Sequence, residues 1–544
     1  KELSDRFLER PSLSSDSSIY GGTPLYDTWF RGDSTLFGGV EFDLSYIRNG
    51  LKLKFENDPF NYFDLSANNR LDANPFIRDK ESRYNFGIHF PVNKYFSFDV
   101  SNIKGNTLNI SFSFSLRLNN ELFKKPKFEP KIEKKSIEKK SKKIFYEDLL
   151  ENLNNNRLYL QTANLDNKKL DISISTSDHR NAIRSSSYAS YISKKVADLN
   201  SIDLSSINVT HLNAGQELNN ITYIANHLDE KSNTPIEVKR YYTNLDSGEV
   251  YQYKTNEFQP TLKFPIVFTS FSPALVSHIG VPEKFYSAAI TLQNNTEVQF
   301  NRNFLLSSLI NYSIYSNIDD TLSGPASIME HVRTDLVEYL KKDDFYITRF
   351  QLDYLWTPRK NVYAKLSAGI FETMFGGIGT EILYKPFNSK FSIGGEVFYV
   401  KQRTFDQMFD FRDYKTTTGH INFGYMLPLG IESNLSFGRY LAKDDGYTFD
   451  LSRRTKSGFR AGIYFTRTNV SKETFGEGSF DKGFYFQIPL DLLSRDHQGS
   501  YTTFKLSPLT RDGGAKLIHD KDLKGMIYNS NIFEINDQWD GFLN

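Results

Sequence analysis

Apolar and polar residues alternate with a period of two over two long parts of the chain. In the first part, an apolar series alternates with Asn, Ser and Arg: Leu108, Ile110, Phe112, Phe114, Leu116 and Leu118. From about Thr261 the pattern resumes, as in the series Val362, Ala364, Leu366, Ala368 and Ile370. Such alternation places one face of a strand in an apolar medium and the other face in a polar one. It predicts antiparallel meanders, with roughly 10–14 strands in the second part.

Between these two parts lies a segment in which apolar residues recur with the period of a helix. Apolar residues at helical spacing predict a helix over 144–156, and a second helix that begins after Asp178 as its N-cap and ends near Leu199. Strand patterns lie between and after them, at 157–163, 169–176, 207–212 and 218–227. This order is typical of a small α+β domain with helices packed on one sheet. A further short helix is predicted from the four-residue spacing of Ile328, Val332, Leu336 and Leu340.

The composition narrows the class of protein. The chain has 46 Phe and 32 Tyr but a mean hydropathy of −0.48 and no cysteine, which excludes disulfides and thiolate chemistry. None of its apolar runs approaches the ~18–20 residues of a spanning helix. Two classes of protein remain compatible with this composition: a soluble β protein and a transmembrane β-barrel. Several alternating stripes exceed the ~5–6 residues usual in soluble strands, which favours the barrel.

Charge is distributed unevenly although the net charge is +1. Residues 124–143 contain ten lysines and three glutamates, a net charge of +7, so the remainder carries about −6. A solvated, disordered linker is the plain interpretation, and a tether to anionic lipid headgroups or an acidic polymer is the alternative. Nucleic-acid binding is not expected, because no aromatic-interleaved basic surface adjoins this segment.

Candidate chemistry is sparse. Glu477 and Asp481 could form a carboxylate pair for glycoside hydrolysis, but a glycine-rich loop between two strands is the favoured interpretation, because no second segment supplies obvious substrate-positioning groups. His420 is expected to be structural or to face a lumen, and no histidine spacing suits a metal. We therefore expect no catalytic residues, metal or cofactor. Mixed Arg, Asp and Tyr side chains suit sugars, and either polymer contact or a charge ladder accounts for Arg453, Arg454, Arg460, Glu477, Asp481, Lys482, Arg511 and Asp512.

Several segments resemble the YjbH family of Gram-negative outer-membrane exopolysaccharide and capsule proteins. They include the strings Trp29-Phe30-Arg31-Gly32 and Gly438-Arg439-Tyr440-Leu441-Ala442-Lys443-Asp444-Asp445-Gly446, and residues 475–483 and 509–514. The resemblance implies tandem transmembrane antiparallel β-barrels with a periplasmic α/β domain between them. Because family members carry further β-rich sequence upstream, the first barrel is expected to be incomplete here.

The resulting expectation has five regions. They are the end of a first barrel (1–123), a Lys-rich linker (124–143), the periplasmic α+β domain (144–260), a second barrel (261–515) and a C-terminal tail (516–544). The resemblance implies a non-catalytic part in exopolysaccharide or capsule secretion or assembly. Expected partners are outer-membrane lipids, extracellular polysaccharide and periplasmic or lipoprotein partners. A polysaccharide-modifying hydrolase and a general porin are the alternatives.

Overall fold

The computed structural model describes a mainly β protein with three sheets. The described residues are 36–59, 81–93, 95–115, 125, 128–130, 132–133, 141–228, 236–250, 253–281, 284–318, 328–342, 344–475, 480–507 and 512–544. They form two compact units, one within residues 36–115 and one from residue 125 onwards. No helix among the described residues is long and apolar enough to cross a membrane.

The first unit is a five-stranded antiparallel meander, as the alternation predicts. Its strands are β1 (Gly38–Asp43), β2 (Lys52–Asn57), β3 (Tyr84–Pro91), β4 (Phe96–Ile103) and β5 (Thr107–Phe114), paired in sequence order. The apolar series of β5 is exposed: Leu108, Ile110, Phe112 and Phe114 are 66%, 55%, 74% and 58% accessible. The predicted continuation of this series through Leu116 and Leu118 lies outside the described residues.

The second unit begins with the α/β domain. Its elements are α1 (Lys142–Asn155), β6 (Tyr159–Asp166), β7 (Lys169–Ser175), α2 (Ala182–Leu199), β8 (Ser206–Asn213), β9 (Gln216–Ile224), α3 (Ile236–Tyr241) and β10 (Thr243–Ser247). The sheet order is β10-β9-β8-β7-β6, and β7 and β8 run parallel because α2 provides the crossover between them. The predicted order of two helices and four strands is thus found, followed by α3 and β10.

The start of α2 differs from the prediction. Asn181, not Asp178, is the N-cap, and its side-chain oxygen accepts a hydrogen bond from the Arg184 amide at 2.8 Å. Asp178 instead forms an ion pair with Arg157 at 2.7 Å. Two described residues of the Lys-rich segment make packed contacts that a solvated linker would not have: Phe128 stacks on Tyr188 with ring centroids 3.5 Å apart, and Lys125 pairs with Asp491 at 3.0 Å.

The remaining strands form one 13-stranded antiparallel meander. Its strands, paired in sequence order, are β11 (Ile266–Val281), β12 (Lys284–Gln299), β13 (Phe304–Ser316), β14 (Phe345–Arg359), β15 (Val362–Ile370), β16 (Phe375–Tyr384), β17 (Phe391–Arg403), β18 (Phe411–Leu427), β19 (Ile431–Arg439), β20 (Asp445–Arg454), β21 (Arg460–Thr468), β22 (Asp481–Pro489) and β23 (Tyr501–Leu506). The strand number agrees with the range expected from the alternation.

The two ends of this sheet differ. The α/β domain contacts the end that carries the β12–β13, β14–β15 and β20–β21 connections, through Arg302–Gln161, Gln216–Trp356 and Arg180–Ser457 hydrogen bonds. We call it the domain end. The opposite end carries the longest connection, residues 317–344, with the short helix α4 (Leu336–Leu340). The helix predicted from Ile328 onward is therefore limited to its last turn.

Three further short helices complete the unit: α5 (Lys472–Phe475), α6 (Leu523–Met526) and α7 (Ile532–Asn536). The core of the α/β domain is not made from its own residues alone. Phe387 from the β16–β17 connection and Ile535 and Trp539 near the C-terminus are buried in it. These residues of the β16–β17 connection and of the C-terminal region therefore share one hydrophobic core with the α/β domain.

Candidate functional site

The two faces of the 13-stranded sheet have the reverse of the usual exposure pattern. Apolar side chains on one face, the outer face, are open: Leu366 is 50%, Ile378 60%, Val397 53%, Ile421 54% and Ile463 60% accessible. Polar side chains alternate with them on the inner face and are buried, including Gln351, Asp353, Lys365, Ser367, Thr418, His420 and Ser452. An apolar surface of this extent is rare on a monomeric soluble protein.

The inner face is buried because residues 512–544, the C-terminal segment, lie along it. The Lys365 ammonium, which is 0% exposed, donates to the backbone oxygens of Asp520 at 3.0 Å and Lys521 at 2.9 Å. The Gln351 side chain accepts from the Asp520 amide and donates to its carbonyl, both at 3.0 Å. Buried backbone groups need such partners, so these strand side chains replace water around an otherwise irregular segment.

Ion pairs fix the same segment. His519 Nε2 lies 3.4 Å from Glu396, whose other carboxylate oxygen is 3.1 Å from Nδ1 of His420. Lys521 pairs with Glu297, and Lys524 with Glu432 at 3.3 Å. The predicted structural or lumenal role of His420 agrees with this position, because it is buried on the inner face.

The C-terminal segment reaches from one end of the sheet to the other. At the end opposite the α/β domain, the Asp512 carboxylate accepts hydrogen bonds from the amides of Arg333 and Thr334 at 2.8 and 3.0 Å. At the domain end, Asn213 donates to the Met526 carbonyl at 2.8 Å, and Gln538 accepts from the Ala182 amide at 2.6 Å. The segment expected to be a tail thus connects all parts of this unit.

A hydrogen-bonded chain joins the segment to the α/β domain. Ser185 Oγ is 2.8 Å from Nε2 of His211, Nδ1 of His211 is 2.8 Å from Asn219 Oδ1, and Asn219 donates to the Asn529 carbonyl at 2.8 Å. These distances resemble a Ser-His-Asn triad, but Ser185 is 0% exposed and its hydroxyl is also held by the carbonyls of Asn181 and Ala182. The arrangement is therefore a structural connection.

Burial changes the protonation of the histidines here. It lowers the pKa of His211 from 6.5 to about 4, although the hydrogen bond to Asn219 opposes this change. It also lowers the pKa of His179 to about 4, and the nearby His497 and Arg184 charges act in the same direction. Both imidazoles are neutral at pH 7, so they act as hydrogen-bonding groups without adding positive charge.

A polar cavity of about 410 Å³ lies where the α/β domain, the inner face and the C-terminal segment meet. We call it the junction cavity. Its volume is within the range of small-molecule sites. Its lining includes four cationic and three carboxylate side chains: Arg180, Arg454, Arg460, Lys524, Glu432, Asp522 and Glu534. The cavity is therefore polar and carries a small excess of positive charge.

The predicted contact residues are only partly brought together. Arg454 and Arg460 line the junction cavity, whereas Arg453 is exposed on the opposite side of the same strand. Asp512 is buried at the other end of the sheet. Asp481 begins β22, and Lys482 faces Phe465 across the β21–β22 pair and so lies on the outer face. Glu477 and Arg511 lie outside the described residues, so the proposed Glu477–Asp481 pair has no geometry here.

The alternation predicts a polar face opposite the apolar stripes, but most of the charged residues on that face were not predicted as site residues. Lys365, Glu396 and Glu432 alternate with apolar neighbours in their strands, which was the available signal for a polar inward face. Nothing local in the sequence indicates that residues 516–526 are their partners. No three His, Asp or Glu side chains within the described ranges are grouped closely enough to hold a metal ion.

Comparison with known proteins agrees with the resemblance seen in the sequence motifs. Residues 2–529 match the family model YjbH, described as "Exopolysaccharide biosynthesis protein YbjH". The chain is 27% identical over 540 residues to "Uncharacterized lipoprotein YjbH" of Escherichia coli (strain K12), covering 94% of this chain and 72% of that protein. Among solved structures, "OmpT (in-vitro folded), an outer membrane protein of Vibrio cholerae" is 9% identical with a TM-score of 0.21, covering 41% of this chain and 80% of that one. The chain belongs to the YjbH family of exopolysaccharide biosynthesis proteins.

Proposed function

We propose that this chain spans the outer membrane of a Gram-negative bacterium with its 13-stranded sheet and takes part, without catalysis, in exopolysaccharide or capsule secretion or assembly at the cell surface. Family membership supports the link to exopolysaccharide. The membrane location rests on the physical properties of the sheet.

The observation that carries the proposal is the apolar outer face opposite a buried polar inner face. In water, that face would expose a row of large side chains such as Ile378, Ile382 and Ile463, each at least 51% accessible. In a bilayer the same residues face lipid, and every strand from β11 to β22 has at least 9 residues, which suits the ~9–11 residues of a tilted transmembrane strand. A soluble sandwich has no comparable reason for this pattern.

The connections suggest an orientation. Transmembrane barrels have short periplasmic turns and longer extracellular loops. The domain end has short turns such as 360–361 and 428–430, and the opposite end has the connection 317–344. This arrangement supports a periplasmic α/β domain, which is then placed to contact periplasmic or lipoprotein partners.

The first unit supports a tandem arrangement. Its strands repeat the same alternation, with Phe42, Phe86 and Phe112 at least 56% exposed and with polar residues such as Asp99 on the other face. We infer that it is part of another lipid-facing barrel, so that the sequence of the α/β domain lies between those of two barrels.

The C-terminal segment weighs against the general porin. A porin keeps its lumen filled with water, whereas here a peptide segment held by Lys365 and Glu396 lies along the inner face. The hydrolase alternative has no support from the geometry of the described residues, because Glu477 lies outside them. A guided or gated passage for one polymer agrees better with this inner face.

Two measurements test the proposal. Outer-membrane fractions should contain the protein in a form whose gel migration changes on heating, since an unboiled barrel stays folded in detergent. Deleting the protein from its host should lower the amount of exported polymer. A protein found only in soluble fractions would refute the membrane location, and unchanged polymer export and retention would refute the role.

A further inference from the structure

The guanidinium of Arg454 in the junction cavity forms no ion pair within 4 Å among the described residues, although its charge acts on the Glu432 carboxylate, which Arg460 and Lys524 already contact. Its two hydrogen bonds within that part of the chain are long, 3.4 Å each, from Nη1 to the Gly458 carbonyl and to the Tyr501 hydroxyl. Its charge lies 4.4 Å above the centroid of the Tyr528 ring. Its Nε has no hydrogen-bond partner in the described part of the chain. A partly buried cation with so few partners is costly unless an anion completes its surroundings.

The neighbouring cations differ from Arg454 because each of them forms an ion pair with a carboxylate. Arg460 and Lys524 share Glu432, at 3.3 Å from each. Arg180 pairs with Asp491 at 3.4 Å. Binding of one anionic group near Arg454 would therefore balance the charge of the cavity without breaking an ion pair.

The rest of the lining suits a hydroxylated ring more than a simple inorganic ion. Gln487 lies beside Arg460 in the β21–β22 register, and Tyr501 is 36% exposed at the cavity. His179, neutral in the cavity wall, has an Nδ1 atom that no described residue contacts by a hydrogen bond. Amide, imidazole and phenol groups bind sugar hydroxyls, and an aromatic ring packs against the apolar face of a sugar.

We propose that the junction cavity binds an acidic sugar unit, a hexuronate within a polysaccharide, with its carboxylate held by Arg454. The inference rests on the proposed function for the source of that sugar, since the cavity is at the end of the sheet assigned to the periplasm. The polymer that enters at this end would accordingly be one that carries uronic acid.

The test uses the purified full chain in detergent micelles and two tetrasaccharides of matched length. Tetragalacturonate carries carboxylates, and maltotetraose does not. Isothermal titration should show binding of tetragalacturonate at least tenfold tighter than that of maltotetraose. Equal affinities would overturn the role of the charge, and this comparison requires no variant.

The assignment to Arg454 is tested by Arg454→Gln, with Arg453→Gln as the matched control. Both changes remove one arginine from the same strand, but Arg453 is exposed on the other side. We expect Arg454→Gln to weaken tetragalacturonate binding by about 10- to 100-fold, the effect of a lost charged hydrogen-bonding pair, and Arg453→Gln to leave it unchanged. Equal affinities of the two variants would overturn the assignment.

Two further outcomes separate the alternatives. If sodium sulfate displaces tetragalacturonate at equal concentrations, the cavity is a general anion site and the saccharide part of the proposal is wrong. If the host deletion stops polymer export but the wild-type protein binds no tetragalacturonate, the cavity assignment fails while the proposed function stands. If the wild-type protein binds tetragalacturonate but the host deletion leaves polymer export unchanged, the cavity assignment stands and the proposed function fails.

Discussion

Replacing Lys365 by Met should release the C-terminal segment from the inner face. The Lys365 ammonium is 0% exposed, donates to the carbonyls of Asp520 and Lys521 at 3.0 and 2.9 Å, and pairs with Glu381 at 3.3 Å. Methionine keeps most of the length of the side chain but donates no hydrogen bond. Two backbone oxygens and one buried carboxylate then lose a partner.

The expected cost follows from this contact set. Removing one partner of a buried, hydrogen-bonded charge pair costs about 3–5 kcal/mol, because the remaining charge stays buried. At about 1.4 kcal/mol for each factor of ten, the fraction of molecules with a released segment should rise by roughly 100- to 4,000-fold. The sheet itself keeps its ladder hydrogen bonds, so release should be local.

Hydrogen exchange measures this release directly. The amides of Asp520 and Leu523 donate to Gln351 and to Glu381, and they should lose protection by about 100- to 4,000-fold in the variant. Lys415→Met is the control, because Lys415 is exposed on β18. Unchanged protection of both amides in Lys365→Met would refute the reasoning that this ammonium holds the segment.

Three other changes probe different parts of the structure. Phe387→Ala should destabilise the α/β domain by about 3–5 kcal/mol in thermal or denaturant unfolding, because Phe387 is 3% exposed in its core. Phe391→Ala is the control, since Phe391 lies in the same region but is 41% exposed. Equal effects of the two changes would contradict the shared core. Ile463→Arg should cost about 2–4 kcal/mol for folding into vesicles if the outer face contacts lipid, against about 0.5 kcal/mol or less at a water-exposed site. Acidification from pH 6.5 to 4 should lower the free energy of unfolding by up to about 3 kcal/mol through His211. Burial lowers the pKa of His211 to about 4, so over this range the unfolded chain binds a proton that the folded chain does not. If His211→Gln left the pH dependence of stability unchanged, this histidine would not be its cause.

Much of the secondary structure was predictable because it follows from local alternation and spacing. The strand series around Val362–Ile370 and the helix near 144–156 are found at their predicted places. Boundaries were less certain where two capping residues compete. Asp178 and Asn181 both suit an N-cap, and the choice is made by an ion pair between Asp178 and Arg157, a contact that local sequence does not reveal.

The candidate site was less predictable because its contacts join distant residues. Lys365 and Asp520 are 155 positions apart, and Lys524 and Glu432 are also far apart in sequence. The C-terminal segment is polar and has no strong period, so it reads as a solvated tail. Its burial depends on inner-face side chains whose positions exist only after the strands have paired.

The shared core has a consequence for the order in which the chain becomes stable. Ile535 and Trp539 are buried among residues of the α/β domain that precede them by more than 300 positions. The charged side chains of the inner face likewise find their partners only when residues 516–526 are in place. Loop closure over such distances is slow, so the final packing of both parts comes late in folding. A fragment cut at the expected boundary after residue 260 would expose cavities in the α/β core, and one that ends after β23 would leave Lys365 and Glu432 without their peptide partners. Division of the second unit at these boundaries therefore does not yield independently stable pieces.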